Sequence, residues 1–111
     1  NSKELKMSEK LVRDKIPEII KKNNSIPKIH IADDKEYYQK LKEKLKEEVN
    51  EFIKEDTKEE FVDILEVMYA ISDFKQFNKK EINKIRERKG KERGRCEKKI
   101  ILEKTTEQKK L

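Results

Sequence analysis

The chain is poor in the residues that build disulfides, tight turns and membrane spans. It has one cysteine, Cys96, two glycines, two prolines and no tryptophan among 111 residues. A single cysteine excludes an internal disulfide and a metal site made of several thiolates. No apolar run reaches the roughly 18 residues of a membrane-spanning helix, and no signal peptide is visible. We therefore expect a soluble, cytoplasmic protein with no membrane partner.

Apolar residues are also scarce, since hydrophobic types make up 32% of the chain and charged types 49%. They gather in residues 37–77 at helical spacing, which predicts that this stretch folds. A chain this polar buries little surface alone, so we expect a homo-oligomer, most simply a dimer. The net charge of +6 is spread along the chain rather than collected in a patch. Such a distribution is typical of a solvated surface, and a nucleic-acid partner is not expected.

Helix start signals predict four helices, and therefore an all-α, four-helix bundle. Asp14 can cap a first helix that carries Pro17 in its first turn, where a missing N–H is harmless. Asp33-x-x-Glu36 is a capping box, and the apolar residues after it recur every three or four positions to about Glu55.

Two capping boxes compete for the start of the third helix. They are Asp56-x-x-Glu59 and Thr57-x-x-Glu60. In a capping box the acidic side chain reaches back to a backbone N–H, so the box that forms decides which glutamate is free for other chemistry. Because aspartate is at least as good a cap as threonine, we expect Asp56 to be the cap and Glu60 to be free.

The last helix opens at the box Asn78-x-x-Glu81. Outside the helices, Ile29–Ile31 and Ile100–Leu102 are short apolar segments that predict a minor β-ribbon. We expect residues 8–104 to form one domain and residues 105–111 a tail. Residues 1–7 are expected to be an expression remnant or a disordered start, because Met7 could be the natural first residue.

Two acidic pairs, Glu48-x-x-Glu51 and Glu60-x-x-Asp63, lie on consecutive predicted helices. Residues three apart project from the same side of a helix, so each pair can direct its oxygens to one point. If the helices are antiparallel, four carboxylates converge, and an all-oxygen site of this kind suits Mg²⁺ or Mn²⁺. Both pairs border or enter apolar stripes, where an uncompensated charge is costly. The alternative is that they are solvated acids of a highly charged surface.

Before the acidic pairs, the chain contains the run Lys10-Leu-Val-Arg-Asp-Lys-Ile-Pro-Glu-Ile-Ile20. This run resembles the opening of small proteins in the MazG-like, phosphoribosyl-ATP-pyrophosphohydrolase-like family of all-α nucleotide pyrophosphohydrolases, and it is the specific part of the likeness. The likeness continues through Leu45–Phe52 and Glu59–Val67, and resumes at Lys91–Gly94 and Glu97–Glu103. It covers nearly the whole chain beyond the first seven residues.

The resemblance implies a Mg²⁺-dependent enzyme, with Mn²⁺ as a substitute, that hydrolyses nucleoside triphosphates between the α- and β-phosphates. The products are a nucleoside monophosphate and pyrophosphate, and removal of non-standard nucleotides is one role. Glu48 and Glu51 match the first acidic pair of the family, and Glu60 and Asp63 match the second. Glu48 and the neighbouring Glu47 are the expected catalytic residues, with Glu47 placed to orient or deprotonate the attacking water.

A triphosphate also needs cationic partners. The resemblance and the residue types indicate Arg13, Lys15, Lys89 and Arg93 as substrate-binding residues. The alternative for Arg13 is an ion pair with a neighbouring acid. Two other functions stay open. One is phosphoribosyl-ATP pyrophosphohydrolysis in histidine synthesis, and the other is a non-enzymatic nucleic-acid-binding or interaction module that uses the basic residues 86–99.

The chain departs from the family pattern after Gly94. Relatives tend to have Gly-Gly-Phe there, whereas this sequence has Gly94-Arg95-Cys96. The added arginine and the lost aromatic ring put in question how this segment packs.

Overall fold

The computed structural model describes residues 9–109, and this part of the chain forms helices and no strand. The helices are α1 (Ile16–Lys22), α2 (Asp34–Glu55), α3 (Lys58–Phe74) and α4 (Lys79–Arg93). The prediction of an all-α fold with four helices is confirmed. The predicted β-ribbon is wrong for the described residues, because Ile29–Ile31 and Ile100–Leu102 are both irregular. A lone two-stranded ribbon is marginal in water, and these segments are too short to stabilise one.

The chain divides into two compact units, with the boundary between Gln76 and Phe77. The first unit contains α1, α2 and α3, and the second contains α4 and the irregular segment that follows it. The expectation that residues 8–104 form a single domain stays a prediction. The expectation that residues 1–7 are an expression remnant or a disordered start falls on residues outside the described part of the chain. Across residues 9–109, no helix combines the length and apolar character needed to cross a membrane.

Helices α2 and α3 pack against each other as an antiparallel hairpin. Phe52, near the end of α2, lies 6.3 Å from Phe61, near the start of α3, between ring centroids. At the opposite end, Tyr38 near the start of α2 stacks on Phe74 at the end of α3, with centroids 5.3 Å apart. This pairing of late with early residues sets the register in which all other side chains of the two helices meet.

The hairpin buries little apolar surface. Leu41 is 1% exposed and Val67 is 8% exposed, and they are the buried apolar side chains of the described residues. One side of α3 packs on α2, but its other side carries an exposed apolar stripe at helical spacing. The stripe consists of Val62, Leu65, Met68 and Tyr69, together with Phe61, whose ring is more than half exposed and also borders Phe52 of α2. A helix with two apolar faces needs a second covering surface.

The connection between α2 and α3 decides which capping box forms. Asp56 ends α2 and adopts the left-handed conformation, with φ 56°. Its backbone N–H donates a 2.8 Å hydrogen bond to the Phe52 carbonyl oxygen, as the end of a helix requires. An N-cap needs an extended backbone, which Thr57 has at φ −117° and ψ 161°. Thr57 is therefore the cap, and the prediction that Asp56 caps α3 is wrong. Asp56 tolerates the left-handed region better than a β-branched threonine does.

Two of the other predicted caps form as expected. The Asp33 and Asn78 side chains each accept a hydrogen bond from the backbone N–H three residues further on, at 2.9 Å and 3.1 Å. Pro17 lies in the first turn of α1, also as predicted. The predicted cap Asp14 is wrong, because α1 begins one residue later, after Lys15, with no side-chain cap.

Candidate metal centre

Three carboxylates meet where the last turns of α2 face the first turns of α3. Glu48 comes from α2, and Glu60 and Asp63 come from α3, with one oxygen of each within 4.8 Å of the others. Glu48 is buried at 8% exposure, while the other two are half-buried. We call this group the three-carboxylate cluster. The predicted convergence of the two acidic pairs is thus found for three of the four residues.

Glu60 takes part in both the helix start and the cluster. Its backbone N–H donates a 3.4 Å hydrogen bond to the Thr57 hydroxyl oxygen. Its carboxylate lies with Glu48 and Asp63. Capping by Thr57 therefore does not occupy the Glu60 side chain, although the capping-box rule predicts that it should.

The cluster is electrostatically strained. Partial burial raises the pKa of the Glu60 carboxyl above its ordinary 4.5, and the nearby carboxylates of Asp63, Glu51, Glu48 and Glu55 raise this pKa further. Glu51, the fourth predicted ligand, is exposed and lies outside the three-carboxylate cluster, yet its charge acts on Glu60. Mutual repulsion of this kind is relieved by a cation, and an all-oxygen donor set fits Mg²⁺ or Mn²⁺.

Two side-chain cations already touch the cluster. The Arg13 guanidinium lies 2.8 Å from Asp63, and the Lys44 ammonium lies 3.2 Å from Glu48. The ion-pair alternative for Arg13 is therefore observed, and its partner belongs to the predicted metal site. Lys44 was not among the predicted site residues. Its position four residues before Glu48, the spacing of helical ion pairs, is the signal that indicates it.

Glu47, the second predicted catalytic residue, lies beside the three-carboxylate cluster but is not part of it. Its carboxylate lies 3.4 Å from the Lys10 ammonium and 3.5 Å from that of Lys44. It lines a cleft of about 280 Å³ between residues 9–11 and α2. The Lys44 ammonium also lies 3.2 Å from Glu48, so the two neighbouring glutamates share one cation at the edge of the three-carboxylate cluster.

The remaining predicted cations belong to different units of the chain. Lys15 is exposed at the start of α1 in the first unit. Lys89 and Arg93 are exposed on α4, which belongs to the second unit. Their role as substrate-binding residues stays a prediction.

Arg95, the residue after Gly94, makes contacts within the second unit that explain its presence. The Arg95 guanidinium folds back on α4, where it donates to the Arg86 carbonyl oxygen at 3.2 Å and to the Glu87 carboxylate at 3.0 Å. It lies directly over Gly90, where any added Cβ would collide with the guanidinium. The absence of a side chain at Gly90 therefore makes room for Arg95.

A second group of metal-type side chains lies near the start of α2. Glu9, His30 and Glu36 bring one ligand atom each within 4.8 Å of one another, but Glu9 and His30 are exposed. His30 Nε2 contacts both Glu36 oxygens, at 2.9 and 3.0 Å. This pair ties the irregular segment before α2 to its first turn, and we assign it a structural role.

No protein-family model, curated protein or solved structure matches the chain. Membership of the pyrophosphohydrolase family stays a prediction that rests on the sequence segments quoted above. The candidate site is therefore argued from its own geometry.

Proposed function

We propose that the protein is a Mg²⁺-dependent nucleoside triphosphate pyrophosphohydrolase. It would cleave between the α- and β-phosphates and release a nucleoside monophosphate and pyrophosphate. The observation that carries the proposal is the convergence of Glu48, Glu60 and Asp63 from two helices onto one half-buried point. Carboxylates gathered in this way repel one another, and cation binding is the function that uses such an arrangement.

The residues of the cluster have separate roles in this proposal. Glu48, Glu60 and Asp63 would hold the ion, and Glu51 would add negative charge from the next turn of α2. When bound, Mg²⁺ neutralises the triphosphate and makes a coordinated water more acidic. Glu47 lies on the adjoining cleft, where it could orient an attacking water. Lys10 and Lys44 hold its carboxylate in place.

The proposal includes a homodimer. The apolar stripe of α3 offers five exposed side chains in one line, and a two-fold interface would remove them from water. A cytoplasmic location is also part of the proposal, because the lone, exposed Cys96 suits a reducing compartment.

Two alternatives make different demands on the same chain. Hydrolysis of phosphoribosyl-ATP would need the same carboxylates for the metal ion. It would differ from hydrolysis of a nucleoside triphosphate only in the residues that contact the base and the sugar. A nucleic-acid-binding module would instead use the exposed basic side chains of α4 and would leave the three-carboxylate cluster without a function.

A panel of nucleoside triphosphates, together with phosphoribosyl-ATP, tests the proposal. Each is incubated with the protein and Mg²⁺, and pyrophosphate and orthophosphate are measured separately. We expect pyrophosphate and the monophosphate in equal amounts, with no release when the metal is chelated. Orthophosphate alone, or no product from any member of the panel with Mg²⁺ or Mn²⁺, would refute the proposal. Salt-sensitive DNA or RNA binding without turnover would favour the binding module.

A further inference from the structure

Arg13 connects the segment before α1 to the three-carboxylate cluster. Its guanidinium donates a 2.8 Å hydrogen bond to Asp63, 50 positions further along the chain. The two side chains are 53% and 37% exposed. An ion pair this open to solvent contributes little to stability and can be broken at small cost. The backbone around Arg13 belongs to no helix, so its side chain is not bound to the geometry of α2 or α3.

Lys44 has the opposite character. Its side chain is 17% exposed, and it pairs with Glu48 one turn away on the same helix. Because both residues lie on α2 one turn apart, Lys44 remains within reach of Glu48. The cluster therefore contacts one cation from its own helix, Lys44, and one solvent-exposed cation from outside α2 and α3, Arg13.

A divalent ion held by Glu48, Glu60 and Asp63 would lie close to the guanidinium that now touches Asp63. Two cations at this distance repel each other, so Arg13 opposes the binding of a metal ion that arrives alone. A bound triphosphate would offset this repulsion. Its phosphate oxygens can accept two parallel hydrogen bonds from the arginine guanidinium, as the oxygens of a carboxylate can.

We propose that Arg13 is an exchangeable counter-ion of the metal site. It leaves Asp63 when the divalent ion enters, and its guanidinium then takes a phosphate group of the nucleotide. Metal and triphosphate consequently tighten each other's binding, by the same factor in both directions. The phosphate half of this exchange rests on the proposed function. The competition between Arg13 and the metal needs only the proposed metal binding by the three-carboxylate cluster, and not the hydrolysis.

Mn²⁺ binding without nucleotide tests the competition, measured by electron paramagnetic resonance or calorimetry. We expect Arg13→Gln to bind Mn²⁺ about tenfold more tightly than the wild type, because a competing charge is lost. Arg13→Lys keeps the charge and should stay within about threefold of the wild type. Lys10→Gln removes the same charge from the same segment without touching Asp63, and should stay within about twofold.

The coupling is tested by repeating the Mn²⁺ titration with the α,β-methylene analogue of ATP. The analogue should tighten Mn²⁺ binding by about tenfold in the wild type and by much less in Arg13→Gln. An Arg13→Gln variant that binds Mn²⁺ alone no more tightly than the wild type overturns the exchange, even if the wild type releases pyrophosphate. A tightened variant with no pyrophosphate release from the wild type refutes the enzyme and leaves the competition standing.

The wild-type protein supplies a measurement that does not depend on any variant folding. The Arg13 Nη2–H resonance, assigned by nuclear magnetic resonance in labelled protein, reports the hydrogen bond that this group donates to Asp63. It should shift when Mg²⁺ and the analogue are added together. A resonance that keeps its position at saturation shows that Arg13 remains on Asp63, and that result also overturns the proposal.

Discussion

The Lys44 ammonium lies 3.2 Å from the Glu48 carboxylate, one turn earlier on α2, and the two side chains are only 17% and 11% exposed. Among residues 9–109, Glu48 is the one charged residue that is buried. A charge in this position needs a partner that stays with it, and a lysine on the same helix provides one. The pair makes it possible for the Glu48 carboxylate to be buried without a metal ion.

Replacing Lys44 should therefore destabilise the metal-free protein. We expect Lys44→Met to lower the free energy of unfolding by about 1 to 3 kcal/mol, because Glu48 is left buried without a counter-ion. Urea denaturation followed by circular dichroism measures the change. Lys46→Met, an exposed substitution on the same helix, is the matched control, and an equal loss in both variants would contradict the prediction. The double variant Lys44→Met/Glu48→Gln should recover most of the loss.

Glu60→Gln should stabilise the metal-free protein in a pH-dependent way. The pKa of Glu60 is raised on folding, so between pH 4.5 and that raised pKa the folded state binds more protons than the unfolded chain. As the pH rises through this window, the ionised Glu60 carboxylate therefore lowers the free energy of unfolding progressively. Below the window Glu60 is protonated in both states and has no such effect. The advantage of Glu60→Gln over the wild type should be present at pH 7 and shrink towards pH 4. Glu59→Gln gives the baseline for loss of a neighbouring surface carboxylate, and a pH-independent difference would count against the cluster.

Asp63→Asn should abolish turnover while leaving the protein folded. We expect pyrophosphate release to fall by more than about 100-fold, because an amide oxygen carries no charge with which to hold the ion. Glu51→Gln should also lower it, since its charge acts on the same point. Glu66→Gln, one turn beyond Asp63 and exposed, is the control and should keep nearly full activity. Equal rates for Asp63→Asn and Glu66→Gln would remove Asp63 from the metal site.

Light scattering during gel filtration should give twice the 13.4 kDa mass of one chain. Met68→Glu, in the middle of the apolar stripe, should shift the protein to the monomer, because a carboxylate would be buried in the interface. Ile26→Glu is the control, since Ile26 is an exposed apolar residue in the segment between α1 and α2. A wild-type mass of one chain at low micromolar concentration would contradict the dimer.

Features that depend on neighbours in the sequence could be predicted from the sequence. The Asp33 and Asn78 caps formed as expected because a cap joins a side chain to an N–H only three residues away. The side shared by Glu60 and Asp63 follows in the same way from the pitch of one helix. All-α character was predictable because apolar residues recur at helical spacing along the chain.

The two capping boxes at the start of α3 could not be distinguished from the sequence, and the backbone of the turn between α2 and α3 decided which one formed. Asp56 and Thr57 are both good caps, and intrinsic preference favoured Asp56. The hairpin needs a residue in the left-handed conformation to reverse the chain, and Asp56 supplies it. Thr57 is then the residue with the extended backbone that capping requires.

Membership of the candidate site was decided only by the packing of distant segments. The register of α2 against α3 brings Glu48, but not Glu51, within 4.8 Å of the two carboxylates of α3. The pairing of Arg13 with Asp63 spans 50 positions, and no local spacing rule reaches that far. The sequence by itself determined which side chains could bind a metal ion. The antiparallel contact of two helices determined which of them do meet, because carboxylates on different helices come together only through tertiary packing.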